Sequence, residues 1–404
     1  MLPLIVTALL VVVLLAWLRG AWVLARIGAL PNLARMPATL EGEAPWPRLS
    51  VVVACRNEQA AVRQALSSLL AQDYPSFELI VVDDRSEDAT GAILRELAAV
   101  HPALRVARVD ELPPGWLGKT NALQRGAAQA TGDWILFTDA DVLFAPDALR
   151  RAVAWGTRDG LGHAVAVPHF IAPGLLERAF VSMFGLFFLM GARVDDLRKP
   201  GSAAHVGFGA FNLVRRDAYR AIGGHERLRF EVVDDLKLGL VLRRSGVRQG
   251  CVDSGGLVRV RWQRGFVASM RGLLKNFFAG LDYRWGLTVA ATLGVPLLTA
   301  FPALCLLASP WLLPGTASRL IAIAAFVLPA LLLGRVARRV AGGRGHEGLL
   351  LPLAGTALAL VTFTSALLAT VRGGVVWRGT RYALDELRDA NVREADWPRD
   401  RAPG

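Results

Sequence analysis

Long apolar runs lie at both ends of the chain. The first covers residues 3–18 and resumes after Arg19, and three more cover 287–313, 318–334 and 349–371. A helix needs about 20 apolar residues to cross the roughly 30 Å of hydrocarbon in a bilayer. These lengths predict transmembrane helices at both ends of the chain.

The first run is either a retained anchor or a cleaved signal peptide. A signal peptide has positive residues before its apolar core and small residues at a cleavage site. Here Arg19, Arg26 and Arg35 follow the core. This order favours an N-terminal anchor over residues 1–30, with C-terminal transmembrane helices over 286–372.

The middle of the chain has a different pattern. The β-branched runs RLSVVVAC, FELIVVDD, LRVARV and DWILFTDAD alternate with segments whose apolar residues recur at helical spacing, the third of these from Thr120 to about Ala130. Such alternation predicts an α/β domain with a mostly parallel sheet covered on both faces, in which ligands collect at the carboxyl ends of the strands. We assign this domain to residues 48–263.

Composition supports a membrane protein. Hydrophobic residues make up 53% of the 404 residues, and the mean hydropathy is +0.38. The net charge of +12 is spread along the chain rather than gathered in a patch with aromatic residues, so we expect anionic lipid and no nucleic acid as its partner. The three cysteines are far apart and lack metal-ligand spacing, which predicts buried thiols in a reducing compartment.

The arginines also predict an orientation. Four arginines lie in RVARRVAGGRGHEG, between the last two apolar runs, and the positive-inside rule assigns that loop and residues 30–285 to the cytoplasm. Counting spans then puts the C-terminal tail outside, although Arg372, Arg378 and Arg381 favour the inside. Pro352 and Gly355 allow the last run to be re-entrant, and both possibilities stay open.

Two acidic clusters end strands of the predicted sheet. Asp83 and Asp84 end the second strand, and Asp139 and Asp141 end the fourth. Carboxylates at the rim of an apolar sheet repel one another and need cations or hydrogen-bond donors. An Asp-X-Asp triplet suits Mg²⁺ or Mn²⁺, which would keep coordination sites for phosphate oxygens. Alternatively, Asp141 only caps the next turn.

Together with ACRNE, VVDDRSEDAT, PPGWLGKTNAL, FGAFNLVRRDAYRAIGGH and EVVDDLKLG, these acids occur in an order and spacing that resembles the family-two inverting glycosyltransferases. PPGWLGKTNAL and WRGTRYALDEL look like the membrane-bound branch with ceramide glucosyltransferases and hopanoid- and carotenoid-pathway glycosyltransferases. The resemblance implies a glycosyltransferase A-type nucleotide-sugar-binding sheet.

The resemblance implies a role for each matching residue. Donor binding falls to residues after the first two strands and to a lysine that reaches the diphosphate: Ala54, Arg56, Asn57, Glu58, Asp84 and Lys119, with Asp139 shared between donor and metal. Asp139 and Asp141 match the metal motif. Asp83 is expected to point the other way from Asp84.

The same resemblance implies the catalytic base. The family has an acidic pair at the start of a helix near the acceptor, and Asp234 and Asp235 match it, with Asp235 as the base. A neighbouring carboxylate raises proton affinity, which suits a general base near neutral pH. Alternatively, the pair only favours the helix N-terminus by its charge.

The remaining segments separate this chain from processive relatives. Those relatives carry Gln-X-X-Arg-Trp after the base, whereas this chain has Arg261-Trp262 before Gln263-Arg264.

The segments after the base have other predicted structures. Residues 264–285 predict an amphipathic interfacial helix, and residues 373–404 predict a loosely ordered polar tail. His169, His205 and His225 are interpreted as structural or acceptor-site residues.

These observations predict a multi-pass inner-membrane enzyme with a cytoplasmic catalytic domain. It would move a sugar from a nucleotide diphosphate sugar, which we expect to be a UDP-sugar, to a lipid hydroxyl with the help of Mg²⁺ or Mn²⁺. The alternatives are a polysaccharide synthase, disfavoured by the missing motif, and a non-catalytic membrane scaffold or transporter, disfavoured because every acidic cluster is present.

Overall fold

The computed structural model describes residues 1–40, 42, 45–197, 199 and 201–393. Residue contacts divide the chain into two compact units. The helical unit contains Met1–Ala29, Phe170–Asp195 and Trp262–Val375, and the sheet unit contains Leu30–His169, Asp196–Arg261 and the described residues from Val376. Each unit is therefore built from segments that are distant in sequence.

The described strands are β1 (Leu49–Cys55), β2 (Phe77–Asp84), β3 (Leu104–Val109), β4 (Trp134–Asp139), β5 (Val142–Phe144), β6 (His163–Val167), β7 (His169–Phe170), β8 (Asn212–Arg215), β9 (Gln249–Asp253), β10 (Val258–Val260), β11 (Gly374–Trp377) and β12 (Thr380–Ala383). The described helices are α1 (Leu2–Gly28), α2 (Val62–Leu70), α3 (Thr90–Val100), α4 (Gly118–Gln129), α5 (Ala148–Arg158), α6 (Leu175–Ala192), α7 (Arg216–Ala221), α8 (Asp234–Arg244), α9 (Phe266–Leu273), α10 (Phe277–Gly280), α11 (Trp285–Thr299), α12 (Phe301–Leu307), α13 (Ser309–Leu312), α14 (Thr316–Ala341), α15 (Leu351–Val371) and α16 (Leu384–Asp389).

The main sheet has seven strands in the order β3-β2-β1-β4-β8-β6-β9. The pairs β1–β2, β1–β4, β2–β3 and β6–β9 are parallel, and β8 runs antiparallel to β4 and β6. Strands β1 and β6 are buried almost throughout, as expected of strands covered on both faces. The α/β fold with a mostly parallel sheet, predicted from the sequence, is confirmed.

The helical unit contains the apolar helices predicted at both ends of the chain. Helices α1 and α14 are long and apolar enough to cross a membrane, as are residues 346–371, which include α15. The run at 287–313 is broken instead, because α11 and α12 meet at a 43° bend. Pro296 inside α11 and Pro302 at the start of α12 account for the break.

Helix α6 is a membrane-length apolar helix that the sequence pattern did not predict. Residues 175–196 are apolar enough to span a bilayer, and Phe180, Met183 and Leu186 are buried with the other apolar helices, not in the domain assigned to 48–263. The charged residues Glu177 and Arg178 interrupt the start of this apolar run, so its pattern did not indicate a membrane-length helix. The Arg178 guanidinium lies 2.6 Å from the carboxylate of the fully buried Glu347, so its charge is compensated inside the helical unit.

Two further segments differ in detail from the sequence predictions. Residues 264–285 form two short helices, α9 and α10, rather than one amphipathic helix. The predicted polar tail contains β11, β12 and α16, with Leu384 and Leu387 buried, because apolar residues in WRGTRYALDEL can pack. Residues 394–404 of that tail lie outside the described residues.

Candidate active site

The carboxyl ends of β1, β2 and β4 bring most of the predicted donor-site residues to one edge of the sheet. Ala54 on β1 is paired with Val82 on β2 and with Asp139 on β4. Arg56, Asn57 and Glu58 follow β1, and Asp84 ends β2. These residues lie where a parallel sheet places its ligand.

The loop after β1 is fixed to the loop after β2 by backbone hydrogen bonds. The N–H of Asn57 donates to Ser86 Oγ at 3.0 Å, and Asn57 Oδ1 accepts from the N–H of Glu87 at 2.8 Å. The N–H of Glu58 donates to Thr90 Oγ1 at 2.8 Å. Asn57 has a φ of 55°, a left-handed conformation that asparagine tolerates better than most residues.

Asp83 and Asp84 have different partners, as expected of neighbours on a strand. Asp84 accepts from Arg85 Nε at 2.8 Å and lies 4.0 Å from Arg56 Nη1. Asp83 accepts from the N–H of Ser86 at 3.1 Å and from Arg108 at 3.3 Å. Of the two buried carboxylates, Asp84 is the one beside the predicted donor residue Arg56.

Gly118, at the start of α4, permits the close approach of Asp84. A Cβ atom at Gly118 would lie 2.2 Å from Asp84 Oδ2, so any larger residue would displace the carboxylate. The N–H of Gly118 donates to the hydroxyl of Tyr382 at 3.3 Å. The motif glycine therefore has a steric role, and Tyr382 is a neighbour of the site.

Lys119 connects two of the predicted acidic groups. Its Nζ lies 3.0 Å from Asp139 Oδ1 and 3.3 Å from Asp234 Oδ1. Burial alone would lower the pKa of Lys119, but the charges of Asp139, Asp234 and Asp235 outweigh it and raise that pKa. Burial raises the pKa of Asp234 to about 6, although Lys119 acts in the opposite direction. Lys119 is therefore a permanent cation between carboxylates.

Asp235 is held by the glycine-rich segment before α8. Its Oδ2 accepts from the N–H of Gly209 at 2.6 Å, and its Oδ1 accepts from the N–H of Leu236 at 2.9 Å. A Cβ at Gly209 would lie 2.4 Å from Asp139 Oδ2, and a Cβ at Gly207 would lie 1.8 Å from the carbonyl oxygen of Asp235. Both glycines are therefore needed for the acids to approach, a role that their place in the motif did not reveal.

Asp141 is the acid whose charge is least compensated. Burial, followed by the charges of Asp139 and Glu58, raises its pKa to about 7. Such a carboxylate, beside the partly exposed Asp139, fits a hard divalent cation. Among the described residues, no three His, Cys, Asp or Glu side chains converge on a metal-sized site. A cation held here would therefore take further ligands from water or from phosphate.

His225 is the predicted histidine that lines the site. A cavity of about 10 Å³, room for one water, is bordered by His225, Lys119, Asp139, Asn212, Asp234 and Asp235, among others. Burial and then the charge of Lys119 lower the pKa of His225 to about 3. Its Nδ1 is 2.8 Å from the hydroxyl of Tyr219, and that hydroxyl donates to Gln124 Oε1 at 3.0 Å. His225 is thus a neutral side chain that lines the site in a fixed position. The other two histidines lie elsewhere: His205 Nδ1 contacts the Ala203 carbonyl, and His169 lies on β7.

Arg378 and Tyr382 were missed as site residues. Arg378, in the turn between β11 and β12, donates to the carbonyl of Arg56 and pairs with Glu58. The motif WRGTRY contains both residues, but sequence reasoning treated it only as a mark of the family branch. More than 300 positions separate Arg378 from Glu58, so local patterns could not connect them.

Comparison with known proteins finds a family that part of the chain resembles. Residues 50–223 match the family model described as Glycosyl transferase family 2. The match covers less than half of the 404 residues.

The chain has curated relatives in Staphylococcus aureus. The 4,4'-diaponeurosporenoate glycosyltransferases of strains MRSA252 and USA300 are each 27% identical to this chain over 235 residues, which cover 57% of it. The match spans 61% of the relatives' length. The predicted resemblance to family-two glycosyltransferases, including carotenoid-pathway members, is confirmed.

A solved structure has the same fold. It is the mannosyltransferase PcManGT from Pyrobaculum calidifontis in complex with GDP-Man and Mn²⁺, with a TM-score of 0.54 and 20% sequence identity. The similarity covers 90% of this chain and 99% of that one. The glycosyltransferase A-type fold predicted for the sheet unit is therefore confirmed.

Proposed function

We propose that this family-two glycosyltransferase transfers a sugar, with inversion, from a nucleotide diphosphate sugar to the hydroxyl of a lipid at the cytoplasmic face of the inner membrane. The observation that carries the proposal is a cluster in which Lys119 pairs with Asp139 and Asp234. Asp235 accepts from the N–H of Gly209, whose Cα lies against Asp139. A lysine and a hydrogen-bonded acid at the carboxyl edge of a family-two sheet supply a cation for a leaving diphosphate and a base for an acceptor.

The donor site in this proposal follows the sheet edge. Asp84 would bond the base or ribose, with Ala54, Arg56, Asn57 and Glu58 around it. Asp139 and Asp141 would hold Mg²⁺ or Mn²⁺, which when bound neutralises charge on the departing diphosphate. Lys119 would approach the same phosphates, exchanging part of its contact with Asp139.

Asp235 is the proposed general base. Two backbone N–H groups donate to its carboxylate and orient it, and each carboxylate oxygen retains a lone pair for the proton of the acceptor hydroxyl. The acceptor oxygen attacks the anomeric carbon in line with the bond to the diphosphate, and that bond breaks. The proton of the acceptor hydroxyl passes to Asp235. Asp234, paired with Lys119, tunes the charge beside it.

A lipid acceptor is supported by apolar surface in both units. Four described helices have membrane-crossing length and composition. In the sheet unit, a cavity of about 670 Å³ beside Tyr382 is lined largely by apolar residues, Leu112, Pro113, Pro114, Trp116 and Phe230, with Glu386, Asp389 and Ala390 on the remaining wall. This cavity suits a largely apolar molecule without a negative charge.

The decisive experiment is turnover by the purified full chain in lipid vesicles, with UDP- and GDP-sugars as donors and fractionated bacterial lipids as acceptors. We expect a glycolipid product and loss of transfer on removal of Mg²⁺ and Mn²⁺. Asp235→Asn should reduce turnover by about 10²- to 10⁴-fold while nucleotide-sugar binding is retained, because the amide cannot accept the acceptor's proton. Asp234→Asn should cost much less.

The same variants test the identity of the acceptor. The S. aureus relatives are named for 4,4'-diaponeurosporenoate, which is a carboxylate. A carboxylate is already deprotonated at neutral pH and needs no base, so Asp235→Asn would then be nearly as active as the wild type. Equal losses in both variants would contradict the base assignment, and loss of donor binding in Asp235→Asn would move this residue to the donor site.

A further inference from the structure

The β11–β12 hairpin brings a second basic group to the donor edge of the sheet unit. Its turn consists of Arg378, with a φ of 47°, and Gly379, with a φ of 81°. An arginine seldom adopts this left-handed conformation. Arg378 nonetheless holds it while its side chain donates to the carbonyl of Arg56 and pairs with Glu58.

The two contacts of this guanidinium place it beside the proposed donor site. Glu58, with which it pairs, and the Arg56 carbonyl, to which it donates, both belong to the loop that follows β1. Arg378 therefore lies next to residues that would surround the nucleotide diphosphate.

The Arg378–Glu58 ion pair is exposed at both of its members. The side chain of Arg378 is 42% exposed and that of Glu58 is 23% exposed. Arg85 and Arg56 are 21% and 12% exposed, and both face Asp84, which is only 5% exposed. Because exposed ion pairs contribute little free energy, Arg378 can exchange its partner at a lower cost than Arg85 or Arg56.

We propose that Arg378 binds the diphosphate of the sugar donor, leaving Glu58 when the donor arrives. The planar guanidinium matches two phosphate oxygens at once, and its new charge-assisted hydrogen bonds exceed those of the exposed ion pair. This inference rests on the proposed function, and it adds a leaving-group ligand from a segment more than 300 residues beyond Glu58. No covalent step is involved.

The test compares binding of diphosphates and nucleosides to the purified full chain, with UDP, GDP, uridine and guanosine as titrants in calorimetry. Arg378→Gln should weaken binding of the preferred nucleoside diphosphate by about 10-fold or more, as expected for a lost charge-assisted bond. Binding of the matching nucleoside should be unchanged. Arg381→Gln removes an exposed positive charge from the same hairpin and should change neither by more than about twofold.

A second variant distinguishes a specific loss of diphosphate binding from a folding defect. Arg378→Lys keeps the charge and the ion pair but loses the planar fork, so it should bind the diphosphate with intermediate affinity. Unchanged diphosphate binding in Arg378→Gln, or equal losses for nucleoside and diphosphate, would overturn the inference while leaving the proposed function in place. A wild-type chain that binds no nucleoside diphosphate would instead overturn the proposed function, and this inference with it.

Discussion

At the scale of single residues, Asp234 has the most informative environment. It is buried, yet it pairs with Lys119 at 3.3 Å. Burial raises its pKa from the ordinary 3.8 to about 6, because Lys119 offsets only part of the desolvation and of the repulsion from Asp235 and Asp139. The carboxylate therefore changes charge within the range in which enzymes are assayed.

This pKa predicts an acid limb in the pH dependence of transfer. Below about pH 6, protonated Asp234 no longer balances Lys119, so kcat/KM should rise with pH through about 6, by no more than the small factor lost in Asp234→Asn. Asp234→Asn should remove that limb. A limb of the same position in the variant would assign the titration to another group.

The stability of the fold should show the opposite trend. The folded chain holds the proton of Asp234 more tightly than the unfolded chain does, so this group stabilises the fold below about pH 4 and the contribution is lost as pH rises to about 6. The difference in Tm between Asp234→Asn and the wild type should therefore grow in favour of the variant from pH 4 to pH 7.

The sequence selects the candidate site residues through their motifs. Asp84, Lys119, Asp139 and Asp235 were predicted from motif spacing and strand ends, and their roles stay predictions. The sequence did not reveal that Lys119 is bound by Asp139 and Asp234, because that ion pair depends on side-chain direction. Arg378 was missed because its contact with Glu58 depends on the path of the chain through the entire helical unit.

At the scale of elements, the sequence predicted strands better than apolar helices. β1, β2 and β4 are short buried runs that end in polar residues, and they formed as expected. Helix α6 was missed since two charges begin it, and the run at 287–313 was predicted as one helix although Pro296 bends it. Whether a charge breaks an apolar helix depends on its partner, which the sequence alone does not identify.

The partner of Arg178 gives a test of how α6 is held. Glu347 is fully buried and accepts from Arg178 Nε at 2.6 Å and from the N–H of Gly345 at 2.7 Å. Arg178→Met should destabilise the purified chain by about 3–5 kcal/mol, because it leaves a buried carboxylate without its cation. Arg178→Met with Glu347→Gln should lose less than the single variant.

The control is Arg344→Met, on the exposed neighbour of Glu347. It should leave thermal unfolding in detergent within about 0.5 kcal/mol of the wild type. If Arg344→Met and Arg178→Met were equally destabilising, the ion pair would not be what holds α6.

At the scale of the whole molecule, strand pairing restricts how the chain can cross a bilayer. Helix α6 lies between β4 and β8, yet these two strands pair in one sheet. A single crossing by α6 would put them on opposite sides of the membrane. Helix α6, despite its length, therefore does not complete a crossing.

The same reasoning applies to α15. Before it, Arg339 donates to the carbonyl of Gly28 at 2.8 Å, at the end of α1 and next to the start of the sheet unit. After it, Arg378 pairs with Glu58 and Lys237 Nζ donates to the carbonyl of Val392 at 2.6 Å. The segment before α15 thus contacts the end of α1, and the segment after it pairs with the sheet unit, which favours the re-entrant alternative for α15.

This topology predicts three complete crossings, by α1, by the bent α11–α12 pair and by α14. Single cysteines test it, because the three native cysteines are buried. The reagent is an impermeant maleimide added to intact cells. Ala317→Cys, at the start of α14, should be labelled. The exposed positions Arg344→Cys and Asp389→Cys should react only after the membrane is opened. Labelling of Asp389→Cys in intact cells would mean that α15 crosses. The tail could then not pair with the sheet unit, and the proposed role of Arg378 would fail together with the topology.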